Sequence, residues 1–147
     1  MPADWPSLRN LWETRYDMEF KIKSQKHEEI IDITKKIKEI VAKTANKDSK
    51  ACLIYVVHTT CAIIVNENYD KAVCQDILDF LKKQVPAGKW KHDKIDSNAD
   101  AHIKSAIIGP FQLIPLEKGF LQLGQWQAIG LAEFDGPRER RVIVQII

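Results

Sequence analysis

Four histidines stand in the 147-residue chain. Three of them, His58, His92 and His102, sit at or beside the ends of expected secondary-structure elements. The fourth, His27, lies among charged residues and reads as a surface side chain. Three neutral imidazoles with one open coordination position form the ligand set of a catalytic zinc or a similar divalent ion. Such an ion acidifies bound water or polarises an oxygen. Asp93, Glu67 or Glu133 would then orient a ligand from behind. The separations of 34 and 10 residues match no fixed metal motif. Each histidine also has an ordinary alternative use: His58 at a strand end, His92 in a solvated loop, His102 in a hydrogen bond at a helix start.

A cysteine–histidine nucleophile is the competing chemistry. Cys61 follows His58 by three residues, and odd offsets in a strand point to opposite faces. A direct pair therefore needs a bend at Thr59-Thr60, unless His92 or His102 serves as the base. A third polar cluster runs from Glu133 to Arg141. Arg138, Arg140 and Arg141 offer planar donors suited to phosphate or carboxylate, with Lys104 and Lys118 as further anion contacts. The alternative is a charged turn with local ion pairs.

The elements that must position these groups follow from periodicity. Tyr16 to Lys23 alternates apolar and charged residues, the pattern of a half-buried strand, and a short second strand covers Glu28 to Ile31. Ile33, Ile37, Ile40 and Val41 share one helical face. Cys52 to Val57 is an apolar run fit for a central strand, and residues 61–66 form another. Asp70 caps a helix that carries Val73, Ile77, Leu81 and Val85 and ends before Pro86. A polar loop, 86–97, holds Trp90, His92 and Asp93. The next helix, with His102 and Lys104, ends at Gly109-Pro110. Strands follow at 111–116, 120–123, 125–133 and 141–147, broken by Glu117-Lys118-Gly119 and Asp135-Gly136-Pro137. Seven or eight strands with three main helices, and strands segregated at the end, favour an α+β fold. Residues 1–14 read as an N-terminal extension in which Trp5, Leu8, Leu11 and Trp12 recur at helical spacing, and residues 15–147 as one domain. A turn this short cannot hold itself together in water, so it must pack on its own domain or a neighbour.

With 22 Lys+Arg against 20 Asp+Glu, the net charge of +2 gives no footprint of a dedicated nucleic-acid binder. No apolar run approaches the roughly 20 residues of a membrane span, and the first residues lack the pattern of a secretory leader. Cys52, Cys61 and Cys74, odd in number and without a CxxC pair, fit free thiols in a reducing, cytoplasmic setting.

Taken together, several blocks carry a resemblance. Val57-His58-Thr59-Thr60-Cys61-Ala62, followed by Asn66-Glu67-Asn68, resembles the opening signature of the YjbQ family (UPF0047). The likeness continues through Lys91-His92-Asp93 and Ala101-His102-Ile103-Lys104-Ser105. It resumes at Leu123-Gly124-Gln125-Trp126-Gln127 and Glu133-Phe134-Asp135-Gly136-Pro137-Arg138. Cys61 departs from the family's usual Ala or Ser, which weakens its claim as a nucleophile.

The resemblance implies an α+β, YjbQ-like fold of two β-sheets, assembled as a homotrimer, with a polar pocket built from the histidine-bearing segments. Combined with the periodicity, the expectation is two β-sheets of about seven to eight strands with three main helices. The resemblance also implies a weak thiamine-phosphate synthase activity, a transfer joining a pyrimidine pyrophosphate to a thiazole phosphate with release of pyrophosphate. His58, His92 and His102 match the family's histidines and would bind a divalent metal, zinc being the expected ion. Glu67 and Glu133 would supply acid/base chemistry. Asn66, Asn68, Lys104, Trp126 and Arg138 would hold a small phosphorylated substrate, with Lys104 and Arg138 on its phosphate. The alternatives are a metal-dependent hydrolase of a phosphorylated small molecule and a non-catalytic ligand-binding trimer.

Overall fold

A computed structural model of the chain describes residues 18–147; the expected extension, residues 1–14, lies outside the described residues. The elements in chain order are β1 (Met18–Lys23), β2 (Glu29–Asp32), α1 (Thr34–Thr44), β3 (Ala51–Val56) and β4 (Cys61–Asn66). They continue with α2 (Lys71–Gln84), a 3-10 turn (Lys91–Lys94), α3 (Ala99–Ile108), β5 (Phe111–Glu117), β6 (Phe120–Leu121), β7 (Ala128–Glu133) and β8 (Glu139–Ile146). Among the described residues no helix is long and apolar enough to cross a membrane.

The strands divide into a five-stranded sheet, ordered β1-β8-β3-β5-β6, and a three-stranded sheet, ordered β2-β7-β4. The expectation of two sheets of about seven to eight strands is therefore corrected to sheets of five and three. The division is made where the chain bends at Thr59-Thr60. There it leaves β3 in the larger sheet and enters β4 in the smaller one. A second element differs in extent: β7 starts only at Ala128, so Trp126 lies outside it.

The smaller sheet is the middle layer. Successive side chains of a strand point to opposite faces. Cys61 and Ile63 of β4, with Ile129 and Leu131 of β7, face the larger sheet. They pack there against Ile54, Val142 and Val144, and α1 closes the same core with Ile37, Ile40 and Val41. On the opposite face Ala62 and Ala132 meet Leu78 and Leu81 of α2 and Ala101 of α3. Small residues on this face let the helices approach closely. The Asp70 cap forms as the pattern requires, its carboxylate accepting from the Ala72 N–H at 2.8 Å.

Gly130, central in β7, belongs to that small-residue face. A Cβ added to it would stand 2.7 Å from Ile30 Cγ2 and 3.1 Å from Ile64 Cγ2. Gly130→Ala should therefore destabilise the fold by about 1–3 kcal/mol through overpacking, read as a lowered urea midpoint. An unchanged midpoint would mean that the two isoleucines yield freely.

Candidate functional site

The last residue of β7 that faces the larger sheet is Glu133. It is fully buried. Arg140 comes from the start of β8, at an alternate position with Val142 and Val144, and so points into the same interlayer space. Its Nε donates to Glu133 Oε2 at 2.8 Å, and its Nη2 donates to Oε1 at 2.5 Å and to Thr60 Oγ1 at 2.8 Å. The Ser24 hydroxyl donates to Glu133 Oε2 and the Asp135 N–H to Oε1, each at 2.9 Å. Burial alone would raise the Glu133 carboxyl. The Arg140 hydrogen bonds, the Asp135 N–H and the Ser24 hydroxyl outweigh burial and hold it below the ordinary carboxylate range. Glu133 is thus a fixed anion with its lone pairs engaged.

His58 stands beside this pair. Its Nε2 accepts the Arg141 backbone N–H at 2.8 Å, which places the ring proton on Nδ1. Burial lowers its pKa, the charges of Arg140, Arg141 and Arg138 lower it further, and Glu133 opposes them. A neutral imidazole with Nε2 already bonded is the result. Cys61, on the same inner face, is an inert thiol: burial pushes it up to about 12, against the opposing effect of Arg140.

His92 and His102 meet elsewhere, edge to face with ring centroids 5.0 Å apart. They line a hollow of about 290 Å³ with Trp90, Ala99 and Ile103. His92 Nε2 lies 3.5 Å from Asp96 Oδ2. Asp93 does not orient a histidine: one of its oxygens accepts the Trp90 N–H at 2.9 Å and the other caps α3 through the Ala99 N–H at 3.0 Å. Among the described residues no group of three or more His, Cys, Asp or Glu side chains is placed to hold a metal ion. The expected zinc or other divalent site on His58, His92 and His102 is therefore corrected. Only the latter two meet, and His58 gives its Nε2 to the backbone.

The other expected residues fall in three places. Asn66, Glu67, Trp126 and Gln127 surround a hollow of about 390 Å³ at the far end of β4. Asn68 lies beside it, its amide donating to Asp32 Oδ2 at 2.7 Å. Trp126 meets Tyr69 edge-on, with centroids 5.7 Å apart. Lys104, only 1% exposed, places its ammonium between Asp100 Oδ2, at 2.9 Å, and the Glu28 carboxylate. Arg138 lies near the Glu133 end, half exposed, donating through Nε to the Asp135 carbonyl at 2.8 Å and through Nη2 to the Asp135 carboxylate at 2.9 Å.

Five participants escaped the sequence reading: Ser24, Thr60, Tyr69, and Glu28 and Asp100 on either side of Lys104. Asp100 and Lys104 had a readable signal, since an acid four residues before a base shares its helical face. Ser24 and Glu28 had none, because their partners lie far along the chain.

Residues 18–147 match the family model described as UPF0047 protein YjbQ-like. A UPF0047 protein of Archaeoglobus fulgidus is 47% identical over 131 residues, covering 88% of this chain and 100% of the relative. YugU of Bacillus subtilis, also a UPF0047 protein, is 39% identical over 129 residues, covering 86% and 95%. Among solved structures, a YbjQ-like protein of unknown function from Sulfolobus solfataricus superposes with a TM-score of 0.84 at 38% identity, covering 88% of this chain and 94% of that one. An uncharacterized conserved protein of the yjbq/upf0047 family from Clostridium acetobutylicum gives 0.83 at 40%, covering 88% and 99%. These names carry a family label and no reaction. With no metal-ligand cluster among the described residues to centre it, the expected function is corrected to family identity alone: the metal site, the thiamine-phosphate synthase activity and the metal-dependent hydrolase are withdrawn.

Glu133→Gln should cost about 3–5 kcal/mol at neutral pH, because Arg140 is left as an uncompensated buried charge. The folded carboxyl titrates below its unfolded counterpart. Its contribution is therefore complete above the ordinary glutamate value of about 4.3 and is lost as pH falls through the lower folded value. The cost of the substitution, followed by urea unfolding, should shrink over that acid window. A cost independent of pH would rule out the ion pair as its source.

Proposed function

This chain belongs to the UPF0047 YjbQ-like family, and from that premise we propose that it binds a small phosphorylated molecule at sites completed between the copies of a homotrimer. The observation that carries this reading is the division of the expected binding residues between the two ends of β4. Arg138 and His58 stand near the Cys61 end, where burial lowers the His58 pKa and the charges of Arg140, Arg141 and Arg138 lower it further. Asn66, Glu67, Asn68 and Trp126 gather at the Asn66 end. Five residue steps of strand separate the ends by about 17 Å. That is longer than a small phosphorylated molecule, so a ligand touching both sets needs two copies of the chain. The homotrimer is the assembly that the family resemblance implies.

In this reading Arg138 meets the phosphate with guanidinium N–H groups other than the two on Asp135, a charge-assisted contact. Trp126, with Tyr69 against its edge, offers a face to a planar group. Asn66, Asn68 and Glu67 supply hydrogen bonds to the rest of the ligand. Glu133 and Lys104, both buried, act by holding the 133–138 turn and α3 in place. The thiols of Cys61 and Cys74, outside any disulfide, suit a cytoplasmic setting.

Sedimentation of the full chain should give three times the 16.9 kDa protomer mass; a monomer would overturn the proposal. Equilibrium binding of 4-nitrophenyl phosphate, a phosphate joined to a planar ring, should weaken roughly tenfold in Arg138→Ala and in Trp126→Ala. Trimers reassembled from a mixture of the two variants should regain a share of full-affinity sites. Mixtures with none regained would put both residues in one protomer's site.

A further inference from the structure

Among the described residues, the acids that the fold draws out of full contact with water are engaged, with one exception. Lys104 pairs with Glu28 and Asp100, Arg140 with Glu133, and Arg138 and the Asn98 amide with Asp135. Glu29 accepts the Gln25 and Lys26 N–H groups, and Asp93 accepts those of Trp90 and Ala99. Glu67 is partly buried too. Yet among the described residues no lysine, arginine or histidine pairs with its carboxylate, and no N–H or O–H donates to it. Drawing a carboxylate away from water without a partner is unfavourable, so this one keeps a place for a positive group.

The place is the hollow of about 390 Å³ that Glu67 lines with Val65, Asn66, Trp126 and Gln127. Small-molecule sites run from roughly 300 to 1,000 Å³. One wall of the hollow is aromatic. Trp126 is 56% exposed and Tyr69 85% exposed, and their rings meet at 62° with centroids 5.7 Å apart. Aromatic rings this open to water forgo the burial that usually stabilises them. The face of such a ring attracts a cation within about 6 Å of its centroid, and centroids 5.7 Å apart let one group lie that close to both. Asp32, tied to Asn68 beside the hollow, adds negative charge, which Lys71 partly offsets. A bare metal ion does not match these walls. Hard cations need several oxygen ligands, and among the described residues no group of three acids, histidines or cysteines gathers to supply them.

We infer that the hollow takes an alkylammonium group, its charge on Glu67 and its carbons against the rings of Trp126 and Tyr69. The aromatic rings supply both apolar contact and attraction for the charge, and the carboxylate gains the partner it lacks. The ligand's end at Trp126 is then positive. With a phosphate at its other end the ligand is a zwitterion, and that last step rests on the reading of Arg138 as the phosphate site. The ammonium site itself does not. The charges at the two ends of β4 agree with such a ligand. Arg138 and Arg141 keep partly exposed side chains at the Cys61 end, and Glu67 and Asp32 stand at the Asn66 end.

Equilibrium dialysis of the full chain against choline and its uncharged carbon isostere, in which tert-butyl replaces trimethylammonium, tests it. Choline should bind about tenfold more tightly than the isostere. Glu67→Gln should erase that preference and leave the urea midpoint unchanged, since the carboxylate bonds nothing within the described fold. Tyr69→Leu should weaken choline more than the isostere. Equal affinity for the two compounds, or no choline binding, would overturn the proposal, as would a preference that survives Glu67→Gln. A preference for choline in a protein that does not bind 4-nitrophenyl phosphate would remove the phosphate reading and leave the ammonium site standing. Binding of 4-nitrophenyl phosphate with no preference for choline would remove the ammonium site alone.

Discussion

One buried ion pair sets the geometry of the whole candidate region. Glu133 and Arg140 come from different sheets and meet between them, so their bond fixes the spacing of the two layers at that end. Removing two charges from water is costly, and the cost is recovered only when every lone pair and donor is engaged. That demand recruits Thr60 from the β3–β4 bend, Ser24 from the end of β1 and the Asp135 N–H from the turn after β7. The turn itself must stay slim there: a Cβ on Gly136 would fall 2.2 Å from the Lys26 carbonyl and 2.9 Å from Glu133 Cγ. Once β8 is held by Arg140, the Arg141 N–H is in position to take His58 Nε2. The same interaction that builds the region therefore engages the Glu133 carboxylate directly and brings the Arg141 N–H onto His58 Nε2.

Lys104 repeats this logic on the other side of the small sheet. Its ammonium joins α3 to the β1–β2 connection through Glu28, and the Gly136 N–H bonds the His27 carbonyl at 3.0 Å. The connection from Ser24 to Glu28 is thus tied to both buried networks. Of the three arginines in this cluster, Arg138 and Arg141 keep partly exposed side chains that can meet an anion.

Much of the architecture was legible in local pattern. Ile33, Ile37, Ile40 and Val41 share a helical face and all are buried. Asp70 caps the helix that follows it, and the period-two runs became strands. The partition of those strands between sheets was not legible, because it depends on pairings such as β1 with β8, far apart in sequence. The site was harder still. Arg140 looks like one of three surface arginines until its alternation with Val142 and Val144 is taken literally, which would have placed it inside. His58 carries no local sign that its partner is a backbone amide 83 residues away. Residue type alone predicts a ligand wherever a histidine ends a strand; the hydrogen-bond partner decides it.

The pairing of Met18–Lys23 with Glu139–Val144 also has a bearing on how the protein is made. β8 lies between β1 and β3, so neither of those strands gains this shared neighbour until residues 139–146 have been made. Before β8 is made, the larger sheet can form only as β3 with β5 and β6, its β3 edge open. Strand edges left open that long are exposed to wrong partners, and the long-range closure makes for slow folding. The strand that completes the larger sheet is also the one that carries the arginine locking the layers together.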